Sequence, residues 1–299
     1  MNKVATKFTI KDLENLSGIK AHTIRIWEKR YAILEPDRTD SNIRFYDTIN
    51  LKKLLNVTQL YNAGYKISKI AKLPENELAA EVKDVVTRSG QNSAYMDHLT
   101  LSMFQFDQAL FEQTFNRLVA EYSFRHVFLE VFVPLLHKIG LQWQSNSITP
   151  VQEHFITNLI KQKLHLSIER VQQSVSAEDE TTYVLFLPDN EIHELGLLYL
   201  HYEMLLKGRY SIYLGQSVPL ENLTSIQAIF SKVQFIGYFT VMPKIDNIDG
   251  YLARFNRELL EERNDSLWIT GTNAQAATVK NEKIKVFNNL SEIINNLPS

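Results

Sequence analysis

From residue 182 onwards the chain alternates five short, β-rich apolar runs with helical stretches, and no other feature constrains its fold as strongly. The runs are "TYVLFLP", "YSIYLG", "FIGYFTVM", "SLWITG" and "IKVFNN". Helices are expected over 193–207, 219–233, 247–263 and 273–280, with a last one at 290–297. Strands joined through helices pair in parallel, and a parallel sheet is covered on both faces. Sheets of this kind bind ligands outside the carboxyl ends of their strands, near the reversal of strand order. The loop "PDNEIHELG" after the first run lies at that edge and carries Glu191, His193 and Gly196. The loops after "FIGYFTVM" and "SLWITG" lie there too.

Two segments precede this one. Residues 78–175 contain few glycines, and "FDQALFEQTFNRLVAEYSFRHVFLEVFVPLLHKIGLQW" repeats apolar residues at three- and four-residue intervals. That period predicts amphipathic helices, most simply a bundle. After the polar break "QSNSITP" comes a long helix, "VQEHFITNLIKQKLHLSIERV", and then "QQSVSAEDETT", which has linker composition. Residues 9–75 read as short helices. Thr9 is a candidate N-cap and Gly18 a candidate C-cap. Leu13, Leu16 and Ile19 form an apolar stripe, and in the second helix Ile24 and Trp27 face inward. Two short helices joined through a Gly turn form a helix-turn-helix. "AILEPDRTDSNIRFYD" fits a two-stranded wing, and two further helices follow, broken at Gly64. The expected domains are 1–77, 78–178 and 179–299: a winged helix-turn-helix, a four-helix bundle and a five-stranded parallel, Rossmann-like (flavodoxin-like) domain.

Composition narrows the chemistry. The chain has no cysteine, which excludes disulfides, thiolate metal sites and cysteine nucleophiles. No stretch approaches the roughly 18 apolar residues of a membrane span. The N-terminus "MNKVATKFTI" lacks the apolar core of a signal peptide, so a cytoplasmic protein is expected, with no membrane partner. The net charge of -2 conceals an asymmetry, because residues 1–75 hold 14 Lys or Arg against 8 Asp or Glu. A basic N-terminal segment on an acidic body suggests local contact with nucleic acid.

Within that segment Arg25, Lys29 and Arg30 lie on or beside the second helix, and Arg38 and Arg44 lie in the wing. Cations so placed can neutralise phosphates while a recognition helix enters the major groove. The hydroxyls of Tyr31 and Tyr46 are further candidates for phosphate contact. Arg25, Trp27, Glu28 and Tyr31, followed by Arg44 and Tyr46, closely resemble the signature of the MerR family of winged-helix transcription regulators. The resemblance covers about residues 6–75 and implies a dimer on a two-fold symmetric double-stranded DNA operator; surface composition does not distinguish a dimer from a tetramer. Metal-sensing members use cysteines, so a different effector is expected here.

The Glu191–His193–Gly196 stretch admits a plain reading, in which His193 begins a helix. A zinc-protease motif would need His where Leu197 stands, and a dinucleotide loop would need more than one glycine. A functional reading also exists. An imidazole whose far nitrogen is held by an acid is a good metal ligand, and Gly196 would let a bulky group lie against the helix start. One histidine does not hold a free ion tightly, but it can be an axial ligand to a metal already in a macrocycle. E-x-H-x-x-G after the first strand resembles the cobalamin-binding motif. That resemblance implies His193 as lower cobalt ligand, replacing the cofactor's own base, with the displaced nucleotide tail inserted into the α/β domain. By the same resemblance Ser217, in "YLGQSVP", and Gly271 and Thr272, in "WITGTNA", are tail contacts, although a second Gly is usual where Thr272 stands.

Trp143, nine residues, then Glu153 and His154 resembles the helical cap of cobalamin-dependent MerR-type photoreceptor repressors. The resemblance implies adenosylcobalamin, or another cobalamin, between cap and α/β domain. Trp143, Glu153 and His154 would then be at its adenosyl face, with Glu153 accepting from ribose hydroxyls. Several such photoreceptors carry His directly after the Trp. Here the residue is Gln144, a poor cobalt ligand, and His137 lies one or two turns earlier. The expected function is a cobalamin-responsive DNA-binding repressor without enzymatic activity, with light as a candidate signal. The alternatives are a MerR-type regulator whose cobalamin module is degenerate and, less well supported, a corrinoid-dependent methyl-transfer enzyme.

Overall fold

The computed structural model describes residues 7–38, 44–75, 77–78, 80–82, 92–144, 148–172 and 180–297. Two compact units divide the chain, Met1–Ile160 and Lys161–Ser299.

The N-terminal unit begins with helices α1 (Ile10–Ser17) and α2 (Ala21–Tyr31). The sequence fixes the ends of α1. Thr9 and Asp12 form a reciprocal capping box, and Gly18 closes the helix at φ +72°. Strands β1 (Asp37–Arg38) and β2 (Arg44–Phe45) pair antiparallel as the expected wing. Helices α3 (Thr48–Asn62) and α4 (Ile67–Ile70) follow, separated at Gly64 (φ +90°) as expected. Leu13, Ile24, Trp27, Leu51 and Leu54 are buried, and the Trp27 ring meets Tyr61 edge to face at 5.0 Å.

The helical segment contains α5 (Asn92–Gln105) and α6 (Gln108–Glu121), split at Phe106 (φ +52°), where Asp107 caps the second helix. Helix α7 (Phe124–His126) runs through a π-helical turn, Val127–Phe132, into α8 (Val133–Gln144). Phe111, Phe128 and Phe132 are fully buried. The long helix α9 (Pro150–Gln172) crosses the boundary between the two units.

The C-terminal unit is a five-stranded sheet, all parallel, in the order β4-β3-β5-β6-β7. Its strands are β3 (Thr182–Pro188), β4 (Ser211–Val218), β5 (Val233–Tyr238), β6 (Ser266–Thr270) and β7 (Ile284–Val286). This is the flavodoxin-like order, and its switch point lies between β3 and β5. Helix α10 (Leu195–Leu206) is buried from Leu197 to Leu205, which explains its nearly continuous apolar sequence.

Three sequence expectations change. The run "FIGYFTVM" is strand only to Tyr238, and its last residues turn away to meet a carboxylate. Helix 219–233 is reduced to a 3₁₀ turn, Leu220–Leu223, and a short α11 (Thr224–Gln227), followed by turns into β5. Helix 273–280 is a single 3₁₀ turn, Asn273–Ala276. Helix α12 (Ile248–Phe255) continues as a π-turn to Leu260, and α13 (Leu290–Asn296) closes the unit.

Gly271 has φ +108°, and a Cβ there would fall 2.4 Å from the Phe239 carbonyl oxygen. Gly271→Ala is therefore expected to cost more than about 1 kcal/mol, read as a lower urea midpoint. An unchanged midpoint would show that the Phe239 backbone yields.

Candidate functional site

At the carboxyl edge of the sheet, the loop after β3 turns its acid inward. Glu191 is fully buried, and every acceptor position of its carboxylate is engaged. Oε1 accepts from the backbone N–H of Ile192 (2.9 Å) and His193 (3.0 Å) and lies 2.6 Å from His193 Nδ1. Oε2 accepts from three successive N–H groups after β5: Thr240 (3.1 Å), Val241 (2.6 Å) and Met242 (2.8 Å). Consecutive N–H groups so arranged form an anion-binding nest. Burial alone would push this carboxyl up. The His193 imidazole and the N–H groups of Met242, His193 and Val241 outweigh burial and hold it down at about 2.

That ionisation fixes one ring nitrogen of His193. An ionised carboxylate only accepts, so Nδ1 carries a proton. The side chain is 52% exposed. The acid holds the ring by Nδ1, as a carboxylate orients a metal-ligating histidine. Among the described residues no three His, Asp or Glu side chains converge on a metal position. This donor set suits the axial position of a metal held by a macrocycle.

Glu194, the next acid, is also buried. It accepts from the Tyr213 hydroxyl (2.7 Å) and the Gln216 amide (2.7 Å), and the Lys161 ammonium of α9 pairs with it. Burial, then the hydrogen bond to Glu194, pushes the Tyr213 phenol well up. Lys161, Glu194, Tyr213 and Gln216 were not singled out in the sequence. Only the burial of an acid next to the histidine would have signalled them.

Of the remaining expected positions, Gly196 and Gly271 are crowded by the chain itself, while Ser217 and Thr272 are exposed. A Cβ on Gly196 would lie 2.4 Å from the Tyr238 ring, so the bulky group against the helix start is this chain's own tyrosine. The Ser217 hydroxyl (φ +50°) donates to Asp189 Oδ1 and accepts from the Asn190 N–H, each at 3.0 Å. Gly271 faces the Phe239 backbone, and Thr272 is exposed at the start of the 3₁₀ turn.

In the N-terminal unit, Glu153 and His154 pair at 2.9 Å at the start of α9, and His137 is exposed on α8. Trp143 and Gln144 fall within α8, but their side chains lie outside the described residues. Arg25, Lys29 and Arg30 are exposed on α2, Tyr31 is half-buried, and Arg38 is exposed in the wing. One expectation is corrected here: Tyr46 is completely buried, and its hydroxyl donates to Glu28 Oε2 at 3.0 Å, so it has no surface from which to meet phosphate. Burial and the Glu28 bond push its phenol far up. The Arg44 Nε donates to the other Glu28 oxygen at 3.2 Å, with 39% of its side chain exposed. Glu28 thus ties the recognition helix to the wing.

Comparison with known proteins matches two segments of the chain, both of which precede the sheet. Residues 8–77 match the MerR HTH family regulatory protein, and residues 95–166 match the B12 binding domain. The chain joins a MerR-type DNA-binding segment to a B12-binding domain. It is 25% identical over 287 residues to the HTH-type transcriptional repressor CarH of Myxococcus xanthus, covering 93% of each chain. It is 30% identical over 70 residues to the HTH-type transcriptional regulator MlrA of Escherichia coli, covering 23% of this chain and 29% of that one. The fold is similar to the monomethylamine corrinoid protein of Methanosarcina barkeri, with TM-score 0.54 and 15% identity over 68% of this chain and 97% of that one. Its full-length similarity is thus to a regulator, which sets it apart from the methyl-transfer enzymes. No described helix is long and apolar enough to cross a membrane.

Glu191→Gln puts an amide NH₂ against N–H donors and should destabilise the protein by roughly 2–4 kcal/mol. His193→Ala removes one exposed ring and should cost less than about 1 kcal/mol. Urea unfolding of both variants checks this, and equal losses would mean that Glu191 serves only His193.

Proposed function

We propose that this protein is a cobalamin-responsive repressor of transcription in which His193 is the lower cobalt ligand. The observation that carries the reading is the buried Glu191 carboxylate, which holds the His193 ring by Nδ1, so that Nε2 is the ring atom that would meet cobalt. The MerR-type segment, the B12-binding domain and the full-length similarity to a repressor support it. Domain limits at 1–77, 78–178 and 179–299 belong to the same reading.

Each residue has a role in it. Arg25, Lys29, Arg30, Arg38 and Arg44 meet phosphates of a two-fold symmetric operator as two chains dimerise on it. Trp143, Glu153 and His154 are assigned by resemblance to the adenosyl face, where Glu153 accepts hydroxyl hydrogen bonds. Bound adenosylcobalamin would supply a cobalt–carbon bond that light breaks. The chain converts cofactor occupancy into a shift between oligomeric arrangements of different DNA affinity. Gln144, with an amide where an imidazole would capture cobalt, leaves the illuminated state without a strong second protein ligand.

Mobility shift on a selected operator duplex tests this. Adenosylcobalamin added in the dark should increase the fraction of DNA bound, and illumination should reverse it. His193→Ala should lose the response and keep basal DNA binding. Arg25→Ala and Lys29→Ala should each weaken binding at every sequence and lower the salt slope by about 1. A wild-type protein whose DNA binding ignores the cofactor would overturn the proposed response.

A further inference from the structure

Two of the three stretches expected to hold the cofactor's nucleotide tail, at Gly196 and at Gly271, are crowded by the chain's own atoms, while Ser217 in the third is exposed. The space beside Gly196 at the start of α10 holds the Tyr238 ring, whose Cζ, Cε2 and Cε1 would lie 2.4, 2.6 and 2.9 Å from an added Cβ. Tyr238 is half-buried. Next to it, Phe239 is fully buried. A Cβ on Gly237 would lie 2.7 Å from the Phe239 ring, and one on Gly271 would lie 2.8 Å from its backbone N. Ser217 donates its hydroxyl proton to Asp189. Glycines open space only where nothing else takes it, and here aromatic side chains and backbone take it.

The loop behind these rings is held firmly. Thr240, Val241 and Met242 donate to Glu191, while the Asn273 side-chain amide donates to the carbonyls of Val241 (2.8 Å) and Pro243 (3.0 Å). Admitting a bulky group beside Gly196 therefore requires displacing Tyr238 from a packed edge whose following loop is tethered by these five hydrogen bonds.

We infer that Tyr238 closes the tail slot, so that this chain binds the corrin ring through His193 without seating a nucleotide tail, and prefers a tail-less corrinoid of the cobinamide type. This rests on the corrinoid reading above. A corrinoid that carries its own tethered base presents that base to cobalt at high effective concentration. His193 must displace it, and with the slot closed no burial of the tail offsets the displacement. A cobinamide has no such competitor.

The test is a titration of the full-length wild-type protein with aquacobinamide and, separately, aquacobalamin, followed by absorption. Each is repeated with His193→Ala and with Tyr238→Ala. Cobinamide is expected to bind at least about tenfold more tightly than cobalamin, through His193. Tyr238→Ala is expected to tighten cobalamin binding while leaving cobinamide unchanged, and unchanged cobinamide binding also reports that the variant is folded. If Tyr238→Ala does not fold, the wild-type comparison decides alone. Cobalamin binding as tight as cobinamide, still dependent on His193, would overturn the closed slot and leave the corrinoid reading standing. Failure of both corrinoids to bind wild-type protein would overturn the two together.

Discussion

The carboxylate of Glu191 is the interaction on which the C-terminal unit's functional edge depends. A buried charge is costly unless its acceptor positions are filled, and here five N–H groups and an imidazole fill them. Because Oε1 faces the loop after β3 and Oε2 faces the loop after β5, the group sits at the topological switch point and ties its two sides. The tie extends further. Asn273, after β6, donates to the β5 loop, and Ser217, at the end of β4, bonds to the loop after β3. Four loops thus form one hydrogen-bonded rim, and His193 is among the side chains it presents to solvent.

The same device recurs in the N-terminal unit. Glu28 on the second helix accepts from Arg44 Nε with one oxygen and from the Tyr46 hydroxyl with the other. Residues that read as a DNA-contact signature therefore serve first to fix the wing against the recognition helix. The cations left exposed on α2 are Arg25, Lys29 and Arg30. In both units an acid organises polar partners so that the outward-facing groups are pre-positioned, which lowers the ordering cost of binding.

Much of this was legible in the sequence. The capping box at Thr9, the break at Gly64, the wing and the strand–helix alternation all follow from local chemistry, and all appear. So does the Glu191–His193 pair, because two residues' separation in a loop lets the acid reach the ring. What was not legible depends on residues far apart in the chain. That the β5 run ends at Tyr238 follows from three N–H groups being claimed by an acid about fifty residues earlier, which no local pattern reports. Tyr46 reads as a surface hydroxyl, yet its backbone bridges to Phe8, its hydroxyl bonds to Glu28 and the residue is fully buried. Gly196 reads as room for a ligand, yet which ring fills that room depends on a residue on a neighbouring strand, Tyr238.

The most direct measurement of the central claim is the absorption spectrum of full-length protein incubated in the dark with saturating adenosylcobalamin, cleared of free cofactor, for wild type beside His193→Ala. The account predicts a retained corrinoid in wild type, with a spectrum of the base-off, histidine-ligated kind that is lost or altered in the variant. A wild-type protein that retains no corrinoid, or retains it with the same spectrum as His193→Ala, would contradict it.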